Sequence, residues 1–315
     1  MMPTRRRFLK IVAAQSATLF AASQMPLLGR ASTNKLTQWR GIVLGAEATI
    51  QLHCKDATEG KAVLEKCVSE IQRLERIFSL YDEQSSLSRL NQTKQLQHAP
   101  NELIDLIATS KQFGSATNGV FDITIHPLIK SYRAHFKNEG QGLPEGLDEI
   151  LKSVDYRKVE LFGSRIRLQH PQAAITLNGI AQGYITDKIA ELLLANGIGH
   201  TLIDLGEKRA LGPHPTGRAW NLGLANRFGV HNVVELDNRS LSSSGGYGTI
   251  FDSSGKHHHL IDPRTGLSVN HHASVHVVAD SATTADALST ALATCSLDET
   301  ASIEAKFPQA HVFRS

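Results

Sequence analysis

The stretch HTLIDLGEKRALGPHPTGRAWNLGLANRFGVHNVVEL, residues 200–236, decides the fold. It carries three strand-like segments, 200–205, 220–225 and 232–236, with no helical period between them. Two more follow at 259–261 and 274–279, and a short one closes the chain near 310–313. Helical patterns lie apart from this run. From Thr58, the residues Leu64, Cys67, Ile71, Leu74 and Phe78 recur at three- and four-residue spacing and gather on one face. A second helix is expected after Pro100, capped by Asn101, running through Leu103, Ile104 and Ile107 toward Phe113 and ending near Asn118-Gly119. Two others are expected over 183–196, closed by Gly197, and over 282–295. The opening segment 41–54 reads as a strand or hairpin, and 159–162 with 166–169 as a hairpin about Gly163-Ser164. Consecutive strands joined by turns, with helices in separate places, predict an α+β fold of largely antiparallel sheets with packed helices.

The chain has 315 residues, 41% hydrophobic and 20% charged, enough for one large domain or two closely packed ones. The segment 138–146, with three glycines and one proline, is the best internal boundary. The first 31 residues run from TRRRFLK through a moderately apolar stretch to Gly29-Arg30-Ala31, which resembles a twin-arginine signal peptide and predicts export to the periplasm. That places the folded domain at 32–315. Arg5, Arg6, Arg7, Lys10 and Arg30 all fall in this segment, and removing five positive charges from the formal +3 leaves −2 for the rest. The basic footprint of a nucleic-acid partner is therefore absent. Cys54, Cys67 and Cys295 form no CxxC pair and read as buried thiols packed as small hydrophobes.

Three segments carry chemistry. In ATTADALSTAL, residues 282–292, Asp286, Ser289 and Thr290 stand at i, i+3 and i+4 of the expected helix and share a face. One carboxylate and two hydroxyls are hard donors suited to magnesium, although such clusters are also common as solvated helix starts. In HHHLIDPRTG, residues 257–266, histidines precede a tight turn, and a histidine there would serve as a general base on an incoming hydroxyl. In ITLNGIAQGYITD, residues 175–187, a strand passes through Gly179 and Gly183 into a helix, where the backbone can approach a phosphate or metal. Helix packing explains those glycines equally well.

Taken in order, LGAEATI (44–50), YDEQSSLSRLN (81–91), NGVFDITIHPL (118–128), LNGIAQGYITD (177–187), and the set SSSGGYGTIF, HHLIDPRTG and ADALSTAL resemble the ApbE family of FAD:protein FMN transferases. The signal and the form NGIAQGYITD look closest to the NosX-type subgroup, linked to nitrous-oxide respiration. The resemblance implies an ApbE/T-fold-like domain in which Leu44, Tyr81, Val120, Phe121, Asp122 and the backbone of Leu260 contact FAD. For Tyr81 and Phe121, core packing is the plain alternative. Magnesium would be held by the Gly179 carbonyl, Asp286 and Thr290, with Ser289 standing where some relatives carry a second aspartate. His259 matches the histidine before the turn, so His259 and Asp286 are the expected catalytic pair. Where many members carry aspartate and lysine or glutamate, this chain has Thr176 and Gln182, both uncharged, at nucleotide-facing positions. The implied reaction joins FMN to a threonine or serine of an exported or membrane-associated, NosR-like flavoprotein and releases AMP. The same site with water as nucleophile would be an FAD pyrophosphatase, and without turnover a periplasmic flavin carrier.

Overall fold

A computed structural model describes residues 35–315, so the expected signal segment lies outside the described residues. In chain order the elements are β1 (Lys35–Val43), β2 (Ala46–Cys54), α1 (Ala57–Phe78), α2 (Ser86–Thr93), β3 (Gln95–Leu96), α3 (Asn101–Ala116), α4 (His126–Lys137) and α5 (Leu147–Leu151). Then come β4 (Val159–Phe162), β5 (Arg165–Leu168), α6 (Ala181–Ala195), β6 (Thr201–Asp204), β7 (Lys208–Leu211), β8 (Trp220–Asn226) and β9 (Gly229–Leu236). The chain ends with β10 (Ser240–Ser244), β11 (Val275–Ala279), α7 (Ala282–Thr294), α8 (Leu297–Glu304) and β12 (His311–Arg314).

Seven strands form one sheet in the order β1-β2-β6-β7-β10-β11-β12, β3-β5-β4 form a second, and β8-β9 a third. Every pairing among them is antiparallel, so the fold is α+β as expected. Residues Asn34–Ser315 make one contact unit, and 138–146 is the connection from α4 to α5 within it.

Alternation along β11 shows how the main sheet is covered. Val275, Val277 and Ala279 enter the main core with Ile71 and Leu74 of α1, Ile185 and Ile189 of α6, and Leu288 and Leu292 of α7. Val278 faces the other way, into a smaller core that the β8-β9 hairpin closes with Trp220, Leu224, Val234 and Leu236. Helix α7 lies on β10 and β11, and α6 lies against α7 and α1. Cys54, Cys67 and Cys295 are buried free thiols, as expected.

The sequence reading needs five adjustments, the first being that no strand opens 175–187, where the chain runs irregularly from β5 into α6. Pro100, not Asn101, caps α3, and Asn101 is its first helical residue. Helix α6 starts two residues before Gly183. Residues 259–261 join no ladder. Ile261 makes one isolated bridge to Ser268, because the chain turns at once through Asp262–Gly266. Finally, β7 and β10 were missed. KRAL and SLSSS lack the β-branched and aromatic residues that signal a strand, yet both stand in the middle of the sheet.

Candidate active site

The paired N-termini of α6 and α7 build the site. Asp187 accepts from the Ala282 and Thr283 amides, both at 2.8 Å, and so caps α7 from α6. Ser281 completes the cap by accepting from the Thr284 amide at 3.1 Å. The two helices come close enough that a Cβ at Gly183 would lie 2.8 Å from Thr283 Cα, which is why glycine is needed there. The Gly183 amide, one of the unpaired donors of the first turn, donates to Asp286 Oδ2 at 3.0 Å. On the same α7 face, Thr290 packs on Gly179, where a Cβ would stand 3.0 Å from Thr290 Oγ1. Gly179, Asp286 and Thr290 are therefore brought together.

Ser289 turns away from that group. It is fully buried, with its hydroxyl 2.9 Å from Ser242 Oγ and 2.8 Å from Ser244 Oγ, and it donates to the Asp286 carbonyl at 3.1 Å. It ties α7 to the serine strand β10.

The structure adds Glu207, which sequence reasoning missed. It sits in the β6-β7 turn, where Gly206 adopts φ +100 and the Leu205 amide donates to the Glu207 carbonyl at 3.0 Å. Asp286 is 4% and Glu207 8% exposed. Burial, and then the neighbouring Glu207 charge, push the Asp286 carboxyl well above the usual carboxylate range. Burial likewise pushes Glu207 up to about 7, opposed by the Ser242 hydroxyl and by Lys208. Glu207 Oε2 has no hydrogen-bond partner among the described residues.

Around this acidic centre stand the expected nucleotide residues. Leu44 and Gly45, at φ 46 and 88, form the tight β1-β2 turn, and Glu75 of α1 fixes it by accepting from the Leu44 amide at 2.8 Å. Gln182 reaches from α6 to the Val43 carbonyl at 3.4 Å and lies over Gly206, so it bridges the two hairpin turns. Thr176 accepts from the Asn178 amide at 3.3 Å, and its own amide donates to the Ile123 carbonyl at 2.8 Å. Asp122 accepts from the Thr124 amide at 2.7 Å and the Tyr156 amide at 2.9 Å, and its carboxyl is pushed up to about 6, chiefly by burial. Val120 and Phe121 are core residues, with the Phe121 ring 6.0 Å from that of Phe113, so any part they take in binding runs through the main chain.

Tyr81 and His259 are carried on other segments. Tyr81 is 58% exposed in the turn after α1, where its amide donates to Ser79 Oγ at 3.0 Å. His259 is half-buried, and its ring lies against Gly248. Gly248 is four residues past Ser244, at most about 14 Å of chain from the Ser289 contact. The Thr249 carbonyl lies 3.3 Å from His259 Nδ1; as a carbonyl only accepts, that contact calls for the proton on Nδ1, so that in a neutral ring Nε2 is the basic nitrogen. The buried Leu260 amide donates to His258 Nδ1 at 3.3 Å, and its carbonyl accepts from Val269 at 3.0 Å. Below, Tyr132 of α4 donates to the Gly266 carbonyl at 2.8 Å and anchors the turn. A cavity of about 570 Å³ lined by Arg227, Lys256, His257, Ser268 and Asn270 borders this segment, since Asn270 Oδ1 lies 3.0 Å from His258 Nε2 and the His258 amide donates to Ser268 Oγ at 3.0 Å.

Among the described residues no three His, Cys, Asp or Glu side chains cluster as a metal centre. The donor set at Asp286 is of another kind: two buried carboxylates, one with an orphaned oxygen, beside a threonine hydroxyl and a glycine backbone. Hard oxygen donors with excess negative charge fit a divalent cation such as magnesium.

The chain is similar in sequence and in fold to known proteins. The chain is 26% identical to the FAD:protein FMN transferase of Escherichia coli K12, over 89% of this chain and 85% of that one. It is 31% identical to the enzyme of the same name from Haemophilus influenzae, over 76% of each. The crystal structure of the ApbE protein of Thermotoga maritima matches with a TM-score of 0.78 and 26% identity, over 89% of this chain and 94% of that one. The apo flavinyl transferase ApbE of Pseudomonas stutzeri, at 24% identity and a TM-score of 0.77, over 89% and 91%, shares the fold. The ApbE family profile matches residues 44–313. This chain belongs to the ApbE family, the FAD:protein FMN transferases.

Proposed function

We propose that this enzyme transfers FMN from FAD to a threonine or serine hydroxyl of an exported flavoprotein, with magnesium held by Asp286, Thr290 and the Gly179 carbonyl. The observation that carries this reading is the meeting of Gly179, Thr290 and the buried Asp286, with Glu207 beside them. Magnesium, when bound there, would neutralise the FAD pyrophosphate. The protein's own residues do the rest. The β1-β2 turn at Leu44, with Gln182 and Thr176, positions the nucleotide. His259 Nε2 takes the proton of the acceptor hydroxyl as its oxygen bonds to the phosphorus on the riboflavin side. The bond from that phosphorus to the bridging oxygen breaks, and AMP leaves with it. Positioning and charge neutralisation are the main demands of such a transfer.

The arginine-rich, then apolar, opening of the chain supports a periplasmic enzyme exported by the twin-arginine route. The NosX-type form of 178–187 supports a NosR-like, membrane-associated acceptor in nitrous-oxide respiration.

Intact-protein mass spectrometry of such an acceptor, incubated with the enzyme, FAD and magnesium, tests the reaction. A gain of one FMN that EDTA prevents, with AMP released, is the expected result. Free FMN and AMP without labelling would make the protein a pyrophosphatase, and bound, intact FAD would make it a carrier.

A further inference from the structure

We propose that Glu207 belongs to the cation site, where its carboxylate supplies the second negative charge that holds and selects a divalent ion. This rests on the reading that a cation binds at Asp286.

Three observations carry it. First, Glu207 is buried with an oxygen that nothing satisfies among the described residues, a costly arrangement unless a charge arrives to face it. Neither neighbouring cation bonds that oxygen: Lys208 pairs with Asp204 at 3.5 Å, and Arg209 pairs with Asp187 at 3.3 Å and donates to Ser240 Oγ at 2.9 Å. Second, its position is fixed by the elements that fix Asp286. The first turns of α6 touch both, with the Gly183 amide on Asp286 and the Thr186 hydroxyl 3.5 Å from the Glu207 carbonyl. Ser242, whose hydroxyl lies 2.9 Å from that of Ser289, is linked through it to the Asp286 carbonyl, and the same Ser242 hydroxyl acts on the Glu207 carboxyl. Third, the β6-β7 turn that carries Glu207 packs under the start of α6, with Gly206 at positive φ covered by the Gln182 amide 2.6 Å from where a Cβ would stand. Asp286 and Glu207, both buried and each within the other's field, repel when ionised, and a divalent ion relieves that repulsion. The number of charged ligands then sets affinity.

The test uses chelator-stripped protein without FAD, with Mn²⁺ as the probe. Free Mn²⁺ is followed by electron paramagnetic resonance, and thermal unfolding is read with and without the ion. Glu207→Gln is expected to bind roughly ten- to a hundredfold more weakly than wild type. Its metal-free melting temperature should equal or exceed the wild-type value, since the repulsion is gone. Glu207→Asp, which keeps the charge, should recover part of the affinity and serves as the second variant if Glu207→Gln does not fold. If Asp286→Asn loses Mn²⁺ while both Glu207 variants bind like wild type, the cation site stands and the role of Glu207 is refuted. If wild type binds no Mn²⁺, the cation reading itself fails and this proposal falls with it.

Discussion

The Gly183 amide and the Asp286 carboxylate, 3.0 Å apart, link helix packing to the acidic centre, because the one residue that lets α6 meet α7 also holds the buried acid. A methyl group at this position would overlap the Ala282 carbonyl and crowd Thr283 Cα, and backbone cannot rotate aside as a side chain can. Gly183→Ala should cost about 1–3 kcal/mol of stability, the usual scale of overpacking. It should also slow transfer more than a core variant of matched stability, such as Ile189→Val or Ile189→Ala, which leaves the Asp286 contact intact. Urea denaturation paired with FMN-transfer rates on both variants checks this. Equal rates at equal stability would mean that the contact has no part in the reaction.

Asp286→Asn keeps the shape and one acceptor for the Gly183 amide while removing the charge. Transfer should fall at least about a hundredfold, the scale of losing several kcal/mol of charge stabilisation in the transition state. Metal-free stability should hold or rise, because a buried carboxyl that feels the Glu207 charge has been replaced by a neutral amide. Single-turnover AMP release and the urea midpoint, measured on one preparation, separate the two effects.

How much of this was legible in the sequence depended on how local the signal was. The face of Asp286, Ser289 and Thr290 follows from helical spacing alone, and the long helices follow from their apolar period. Which way each member points does not, because Ser289 is drawn to Ser242 and Ser244 by a strand that reads as a polar loop. That strand is buried because the small residues of α7 cover it, a tertiary effect with no local trace. Glu207 was invisible for the same reason. One acidic residue in a Gly-Glu-Lys turn is ordinary surface chemistry until the sheet order puts it beneath α6. In the reverse direction, 259–261 carried a strand's composition but was taken over by the Pro263 turn that follows it.

His259→Gln tests the proposed base. The side chain keeps a donor for the Thr249 carbonyl but cannot take a proton. Transfer should slow by about 10²–10⁴-fold, the range for removing a general base, with FAD affinity little changed. The fall in rate toward acid, which reflects loss of the free base, should flatten in the variant. A pH–rate profile that keeps its wild-type shape would assign proton removal to another group.

His276 lies on the opposite face of the sheet and predicts how the fold responds to acid. It is fully buried, with Nδ1 2.7 Å from Ser243 Oγ, and Nε2 2.7 Å from Ser274 Oγ and 3.2 Å from His231 Nε2. Burial, then His231 and Lys208, push it down to about 4. The unfolded chain takes up a proton near pH 6.5 that the folded one refuses until about pH 4. The stability from neutral His276 is thus fully present above pH 6.5 and is lost as pH falls toward 4, amounting to at most about 3 kcal/mol. His126, also lowered to about 4 by burial and then by Lys130, Arg133 and Lys94, adds a loss of the same sign. His276→Asn should start about 1–3 kcal/mol less stable at pH 7.5, since buried hydroxyls lose partners, and then decline less steeply than wild type down to pH 4.5. Urea midpoints across that range measure the slope. A variant whose decline parallels the wild type would show that acid unfolds the protein through groups other than His276, such as His126 or His258, both lowered chiefly by burial.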